Sequence, residues 1–247
     1  MREVIIIGGI QRSGKTFYTE QIARDYIRMN KPAVLYNAGM DKDWKGSEIC
    51  NPITAEQLYY KLPKKKRYLV DTMDCIEFFE DERTGKVYHF KNFRSFYAGK
   101  MVKIYSVSDE RFLFESFFRY CYDMFITFDD VRATTRQGLS ANFIKLLSRS
   151  NHAGMRMERG GLETGIDMVF IYHSLDTPPP ELFDYCSRII LFNLNRVPTS
   201  RIKNDELWQV VERSVNELKA MPKYSSIEIL PRDYEQILTI KNVYNGK

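Results

Sequence analysis

The amino-acid sequence predicts an α/β fold in which a mainly parallel sheet is flanked by helices. A short β-branched run, 4–7, is typical of a strand buried on both faces. Two glycines end this run, and from Thr16 apolar residues recur every three to four positions until Asn30 and Pro32, which indicates an amphipathic helix. A second apolar run, 33–36, follows. A strand–helix–strand unit of this kind pairs its strands in parallel, with a right-handed crossover.

The rest of the chain alternates apolar runs with amphipathic stretches. Helices are predicted at 54–62, 109–122, 139–149 and 205–220, and strands at 101–107, 124–128, 167–172, 188–192 and 227–230. The first of these helices begins with a capping box formed by Thr54 and Gln57. Apolar runs on both sides of 83–85 predict a β-hairpin. Three prolines, 178–180, predict an extended connection and exclude a helix there.

Length and composition indicate one globular domain over 1–247. Hydrophobic residues make up 44% of the chain and charged residues 28%, as in ordinary soluble proteins. Within this domain we expect a hairpin insertion at about 76–100 and a C-terminal helix–strand extension at about 200–247. The formal net charge of +5 is compatible with a polyanionic partner but is too small to demonstrate one.

The cysteine pattern and the hydropathy indicate a protein of a reducing compartment. The four cysteines lie far apart without a CxxC pair, which argues against a structural zinc site and predicts reduced thiols. No run of eighteen apolar residues occurs, so no membrane-spanning segment is predicted. We therefore expect the protein to act in a cytoplasm, either its own or that of a host.

Residues 9–16, Gly-Ile-Gln-Arg-Ser-Gly-Lys-Thr, match the phosphate-binding pattern GxxxxGK[ST] at every fixed position. The pattern lies directly after the buried strand and directly before the amphipathic helix, as its mechanism requires. Gly9 and Gly14 permit backbone angles that let successive N–H groups point at phosphate oxygens. The N-terminus of the following helix adds positive potential. The sequence therefore predicts a P-loop that binds ATP with Mg²⁺.

Each residue of this loop receives a predicted role. The phosphate-binding residues are Gly9, Gln11, Arg12, Ser13, Gly14, Lys15 and Thr16. Lys15 would reach the β- and γ-phosphates, and the hydroxyl of Thr16 would ligate Mg²⁺. Arg12 would contact phosphate in its own subunit or in a neighbouring one.

A pair of acids closes the apolar strand at 124–128. Asp129 is assigned to the magnesium shell, and Asp130 is assigned as the general base that orients the attacking water. The alternative is that the two acids cap the next helix. Asp71 is a second acid at the end of a predicted strand. Its apolar run is shorter, so Asp71 is a weaker candidate for the magnesium carboxylate than Asp129.

Three later segments narrow the class of ATPase. Residues 146–155, 165–174 and 177–192 resemble the FtsK–HerA superfamily, in which an Arg/His-containing helix end precedes a strand that ends in a polar sensor, here His173. The resemblance covers residues 4–195, and an insertion around 155–164 departs from it. It implies a RecA-like fold of the additional-strand type, with the strand that ends at His173 lying between the P-loop strand and the Asp129 strand.

The resemblance is strongest to the minimal viral genome-packaging ATPases, and the zonula-occludens-toxin-like phage ATPases are also similar. It implies an ATP-hydrolysing translocase that moves double-stranded DNA as a homo-oligomeric ring such as a hexamer. It further implies a viral capsid or membrane vertex as partner, and a place in the host cytoplasm or the virion. Arg149 is the first candidate for an arginine finger acting on the neighbouring subunit, with Arg136, Arg156 and Arg159 as alternatives.

Two other functions remain open at this level. A nucleotide or small-molecule kinase also needs a P-loop and Mg²⁺, and 156–159 resembles an arginine-rich lid, although paired acids poised for water are unusual in kinases. A toxin-like assembly ATPase is the other, but such proteins carry a transmembrane helix. A GTP switch is disfavoured because no NKxD motif occurs.

Two further features have a functional and a structural interpretation. The basic run 64–67, together with Lys61, is typical of a DNA-backbone contact, of a nuclear-localisation segment and of a solvated linker. The aromatic residues within 88–97 suit base stacking and equally suit a half-buried sheet.

Overall fold

The computed structural model describes residues 3–37, 44–61, 64–65, 67, 76–105, 110–129, 139, 141–148, 165–194, 202, 204–230 and 239–242. In these residues the strands are β1 (Val4–Gly8), β2 (Ala33–Asn37), β3 (Glu48–Ile53), β4 (Phe78–Asp81), β5 (Lys86–His89), β6 (Met101–Tyr105), β7 (Met124–Asp129), β8 (Ile166–Tyr172), β9 (Arg188–Leu191), β10 (Ser225–Ile229) and β11 (Thr239–Asn242). The α-helices are α1 (Lys15–Arg28), α2 (Ala55–Lys61), α3 (Phe93–Phe96), α4 (Glu110–Tyr120), α5 (Ala141–Ser148), α6 (Pro180–Tyr185) and α7 (Asp205–Ala220). The predicted α/β fold with a mainly parallel sheet is confirmed.

The chain divides into two compact units. The first includes Ala23–Ile126 and Ser140–Asp167, and the second includes Glu3–Ile22, Thr127–Leu139 and Met168–Lys247. The phosphate-binding loop, the end of β7 and the end of β8 all belong to the second unit.

The second unit contains the strand order β11-β10-β9-β1-β8-β7, to which β7 contributes its last three residues. β1 pairs in parallel with β8, from Val4 opposite Met168 to Gly8 opposite Tyr172, and also in parallel with β9. β10 is antiparallel to both β9 and β11. Every residue of β1 and β8 is buried, as expected for a strand covered on both faces. β8 lies between β1 and β7, so this predicted strand order is confirmed.

In the first unit β2 pairs in parallel with β6, and β4 and β5 form the predicted hairpin. β3 was not predicted, because Pro52 interrupts its apolar pattern. The structure shows why proline is tolerated there. Within the described residues, β3 pairs with β6 at Glu48 and Ile49 but not at Pro52, which pairs with Phe79 of β4. Proline suits a strand position at which its nitrogen is not needed as a hydrogen-bond donor to a neighbouring strand.

The aromatic residues around the hairpin pack against Phe79, which is fully buried. Ring centroids 5.4–5.7 Å from that of Phe79 belong to Tyr88, Phe90, Phe93, Phe96 and Tyr97. Edge-to-face and stacked contacts at such distances stabilise a core beyond the burial of area. Phe90, Phe93 and Tyr97 are themselves fully buried, so these three rings are core residues and present no face for base stacking.

A buried carboxylate fixes the beginning of β7. Asp123 has a positive φ of 48° and accepts ion pairs from Lys31 at 2.6 Å and from Arg94 at 3.1 Å. Its N–H donates to the carbonyl of Gly165 at 2.7 Å, one residue before β8. Two ion pairs and a backbone hydrogen bond therefore hold Asp123, the residue directly before β7.

One predicted helix cap and one predicted helix range are confirmed, and one predicted exclusion of a helix is wrong. At α2, the N–H of Thr54 donates to Gln57 Oε1 at 3.0 Å, and the N–H of Gln57 donates back to Thr54 Oγ1 at 3.3 Å, so the capping box is confirmed. α7 spans the predicted residues, and Asn204 caps it. The exclusion of a helix after the prolines was wrong, because α6 begins at Pro180. Proline suits the first turn of a helix, where its missing N–H has no intrahelical partner.

Described helices include none that is long and apolar enough to cross a bilayer. Three cysteines lie in the described part of the chain, Cys50, Cys121 and Cys186, and each is buried and outside any disulfide. Burial raises the pKa of the Cys50 and Cys121 thiols well above the usual value, which keeps them in the unreactive thiol form.

Candidate nucleotide-binding site

The loop between β1 and α1 is anchored to the ends of two neighbouring strands. The N–H of Gly9 donates to the carbonyl of Tyr172 at the end of β8, at 3.2 Å. The N–H of Ile10 donates to the carbonyl of Asn193 beyond β9, at 2.8 Å, and the N–H of Phe192 donates to Gly8 at 2.8 Å. These bonds place the loop at the carboxyl edge of the sheet, where open α/β sheets bind their ligands.

Both fixed glycines are required by the geometry of the loop. A Cβ atom on Gly9 would lie 2.7 Å from Phe192 Cβ and 2.7 Å from Ser13 Oγ, closer than real side chains approach. Gly14 has a φ of 103°, which side chains disfavour, and Arg12 also adopts a positive φ of 62°. The backbone therefore alternates in handedness around the loop, as it does in anion-binding turns.

The loop presents polar groups that the rest of the described chain does not satisfy. Among the described residues, no acceptor outside regular helix and strand bonding takes a hydrogen bond from the N–H groups of Gln11, Arg12 and Gly14. The hydroxyl oxygen of Ser13 is buried without a partner among the described residues. α1 begins at Lys15, so its first N–H groups face the same turn. Such a concentration of donors is a site for an anion.

Lys15 is almost fully buried, with 4% of its surface exposed. Its ammonium group donates to the carbonyls of Gly9 at 2.6 Å and Ile10 at 2.7 Å, so the side chain folds over the loop. Burial lowers the pKa of Lys15 to about 8, and the carboxylate of Asp129 opposes this shift. The negative charge of Asp129 therefore favours the charged form of the loop lysine.

Two strand ends converge on this lysine. His173, the residue after β8, has its Nδ1 3.4 Å from Lys15 Nζ. Asp129 ends β7, the next strand, and the preceding Phe128 stacks on Phe170 of β8 with centroids 4.8 Å apart and planes 3° apart. This stacked pair fixes β7 against β8 within the second unit. His173 therefore lies next to the loop lysine, and Asp129 ends the strand beside β8.

The structure locates most of the residues that the sequence singled out. Thr16 lies in the first turn of α1 and is half-buried, while Gln11 and Arg12 are exposed. Several candidates lie outside the described residues: Asp71, Asp130, Arg136, Arg149, Arg156 and Arg159. Their assigned roles stay predictions.

Sequence reasoning missed two aromatic residues of the site. Phe192 closes β9 against Gly9, and its ring also lies over Gly14. Tyr224, between α7 and β10, has its Cδ1 3.6 Å from the position that a Cβ on Gly14 would occupy. Neither belongs to a motif, and both reach the loop only through tertiary packing.

A magnesium–nucleotide complex suits the donors at this turn. A P-loop holds Mg²⁺ with one hydroxyl and a water-bridged carboxylate, the remaining ligands being phosphate and water oxygens. Thr16 and Asp129 would supply a hydroxyl and a carboxylate of this kind, and the N–H groups of the loop suit phosphate oxygens. No described cluster of three or more His, Cys, Asp or Glu side chains indicates a metal site of another kind.

The sequence matches no protein-family model and no curated protein. Solved structures are similar to it. The genome packaging NTPase B204 from Sulfolobus turreted icosahedral virus 2 in complex with AMPPCP has a TM-score of 0.57 and 11% identity, with 99% of each chain covered. B204 from Sulfolobus turreted icosahedral virus, a DNA-packaging ATPase, has a TM-score of 0.56 and 13% identity, with 98% of each chain covered. The chain therefore has the P-loop NTPase fold of these viral packaging proteins over nearly its whole length.

Proposed function

We propose that this chain is a Mg²⁺-dependent ATPase that translocates double-stranded DNA during viral genome packaging. The convergence of Lys15, Asp129 and His173 on one phosphate-binding loop is the observation that carries the proposal. A P-loop lysine beside a strand-end acid and a strand-end polar group is the arrangement that phosphoryl transfer from a nucleoside triphosphate needs. The likeness to B204, whose structures include nucleotide analogues, supports the same conclusion.

The phosphates are held by the loop. The N–H groups of 11–14 bind phosphate oxygens, and Lys15 exchanges its carbonyl partners for oxygens of the β- and γ-phosphates. Thr16 and Asp129 would hold Mg²⁺, which would neutralise charge on the phosphate oxygens. Because Lys15 is buried, its charge acts in a medium of low dielectric constant and is therefore more effective than it is in water.

Hydrolysis requires a positioned water. We assign Asp130 as the base that accepts the proton of this water while its oxygen attacks the γ-phosphorus. The bond from the γ-phosphorus to the bridging oxygen breaks, and ADP leaves with that oxygen. His173, 3.4 Å from Lys15 Nζ, is placed to sense the γ-phosphate and to report its loss along β8.

DNA contact is supported by a surface at the C-terminal end of α2 and just beyond it, which we call the α2 basic surface: Tyr59, Tyr60, Lys64, Lys65 and Arg67. Tyr60 is 69% exposed and Tyr59 is 42% exposed, which is unusual for such large rings. The guanidinium of Arg67 lies 4.9 Å from the ring centroid of Tyr59, and both lysines are exposed. Cations beside exposed aromatic rings suit a phosphate backbone with stacking on bases or sugars.

Assembly completes the site. We propose that identical chains form a ring, such as a hexamer, in which Arg149 of one subunit acts on the triphosphate of the next. The ring would stand at a viral capsid or membrane vertex, in the host cytoplasm or the virion. An exposed Arg12 within the loop is suitably placed for a contact with a neighbouring subunit.

The proposal is tested by measuring ATP turnover with and without double-stranded DNA, at several DNA lengths and salt concentrations. We expect stimulation of about fivefold at low salt, decreasing as salt rises because phosphate contacts release counterions. Replacing Lys65 and Arg67 with alanine is expected to abolish stimulation and leave basal turnover unchanged. Lys86→Ala, which removes an exposed lysine from β5, is the matched control. Basal turnover that does not respond to DNA under any condition would contradict the translocase proposal.

A further inference from the structure

We propose that Tyr224 binds the base of the nucleotide by stacking, so that this ATPase holds its substrate at both ends of the same loop. The inference rests on the proposed function, since it takes the triphosphate to lie in the loop. It adds a substrate-binding residue that no motif of the sequence contains, and it specifies how the base is recognised.

Tyr224 lies directly against the phosphate-binding loop. A Cβ atom on Gly14 would lie 3.6 Å from Tyr224 Cδ1 and 3.6 Å from Phe192 Cε1, so two rings cover this glycine. They differ in what they offer a ligand. Phe192 is completely buried, and Tyr18 packs edge-on to it with centroids 5.9 Å apart. Tyr224 is half-buried and retains solvent-accessible surface. Of the two, Tyr224 is therefore the ring that a ligand reaches.

The strand order places Tyr224 on the side of the loop where a base would lie. His173 and Asp129 end β8 and β7, which lie on one side of β1. These residues mark the end of the loop that binds the terminal phosphate. β9 and β10 lie on the other side of β1, and Tyr224 immediately precedes β10. A triphosphate bound with its γ-phosphate at His173 therefore extends its nucleoside toward Tyr224.

The backbone holds Tyr224 in a conformation that large residues rarely adopt. Its φ is 73°, in the left-handed region that favours glycine and asparagine. The turn is closed by the N–H of Ser225, which donates to the carbonyl of Pro222 at 3.1 Å. Strained residues of this kind cluster at ligand sites. A glycine here would satisfy the turn without strain, so the ring itself is the feature that needs explanation.

A cation accompanies the ring. The ammonium group of Lys223 lies 5.0 Å from the ring centroid of Tyr224, and Lys223 is exposed. A positive charge beside an aromatic ring, at the edge of an anion-binding loop, suits a group that is both aromatic and attached to phosphates. Stacking uses the π-face that every base has, so it discriminates weakly between bases. We therefore expect GTP to bind with an affinity close to that of ATP.

The test compares two ligands and two variants. Binding of a non-hydrolysable ATP analogue and of inorganic tripolyphosphate, each with Mg²⁺, is measured by calorimetry on wild type, Tyr224→Leu and Tyr224→Phe. Tyr224→Leu is expected to weaken binding of the analogue about tenfold, because stacking on one base is lost. Tripolyphosphate has no base, so its affinity should be unchanged. Tyr224→Phe keeps the ring and should bind both ligands as wild type does.

Two outcomes would overturn the inference. An equal loss for both ligands would mean that Tyr224 only supports Gly14, and an unchanged affinity for the analogue would mean that the base lies elsewhere. Failure of the wild type to bind either ligand would instead contradict the proposed function. If Tyr224→Leu fails to fold, the wild-type chain still gives an answer with 2-aminopurine riboside triphosphate. Stacking on Tyr224 quenches its fluorescence, and an unquenched bound probe would overturn the inference.

Discussion

Lys15 Nζ lies 3.4 Å from His173 Nδ1, although 158 residues separate the two in the chain. The parallel register of β1 and β8 produces this contact, since Gly8 lies opposite Tyr172 and both strands end at the same edge. A ligand atom bound at the loop lysine would therefore lie within reach of the strand-end histidine. This relationship underlies the predictions that follow.

Lys15→Ala is expected to lower ATP turnover at least about a hundredfold, because it removes a buried charge directed at the transferred phosphoryl group. Turnover is measured by phosphate release at saturating ATP. Lys86→Ala serves as the control, since Lys86 is exposed on β5. Wild-type turnover in the Lys15→Ala variant would mean that this loop takes no part in the reaction.

Nucleotide binding is expected to weaken as the pH rises through 8. Burial lowers the pKa of Lys15 to about 8, so its ammonium is charged below that pH and neutral above it. The affinity for a non-hydrolysable ATP analogue should fall about tenfold between pH 7 and pH 9, following the charged fraction of the lysine. Because Asp129 raises this pKa, Asp129→Asn should move the midpoint below 8. A binding profile that is flat from pH 7 to pH 9 would contradict this assignment.

His173→Ala is expected to lower kcat about tenfold and to leave KM for ATP unchanged, because the contact strengthens as charge develops on the γ-phosphate. His173→Gln keeps a polar group at the strand end and should recover part of the rate. His89 is a matched control. Its Nδ1 accepts the N–H of Lys91 at 3.0 Å in the first unit, so His89→Ala should leave both constants unchanged. A rise in KM without a change in kcat would assign His173 to ground-state binding.

Asparagine substitutions of Asp129 and of Asp130 are expected to have different effects on ATP turnover. Asp130→Asn should abolish turnover and keep nucleotide affinity, since it removes the base without removing the binding groups. Asp129→Asn should raise the Mg²⁺ concentration that gives half-maximal turnover. Asp184, exposed on α6, provides the control substitution Asp184→Asn. If Asp130→Asn hydrolysed ATP at the wild-type rate, the base would have to be another residue.

The parts of the site that could be predicted from the sequence are those whose chemistry is local. The P-loop, its lysine and the acid at the end of β7 each follow from a short apolar strand and the residues directly after it. The position of β8 between β1 and β7 was inferred from a family resemblance and is confirmed. Local capping also sufficed at Thr54, whose side chain and that of Gln57 form both predicted bonds.

The parts that could not be predicted depend on tertiary context. Among the described residues, β6 pairs with β3 before Pro52 and not at it, so the strand tolerates the proline. No local sequence pattern indicates where that pairing ends. Pro180 begins a helix because it occupies the one turn in which its missing N–H costs nothing. Tyr224 reaches Gly14 from a turn 210 positions further along the chain, so its role is visible only in the folded structure.

The most direct test of the central claim is a crystal structure of the chain with Mg²⁺ and a non-hydrolysable ATP analogue. We expect β- and γ-phosphate oxygens within hydrogen-bond distance of the N–H groups of 11–16 and of Lys15 Nζ. We also expect the metal between Thr16 and Asp129, with the base against Tyr224. Density for the analogue elsewhere, with the loop unchanged and Asp129 distant from the metal, would contradict that claim.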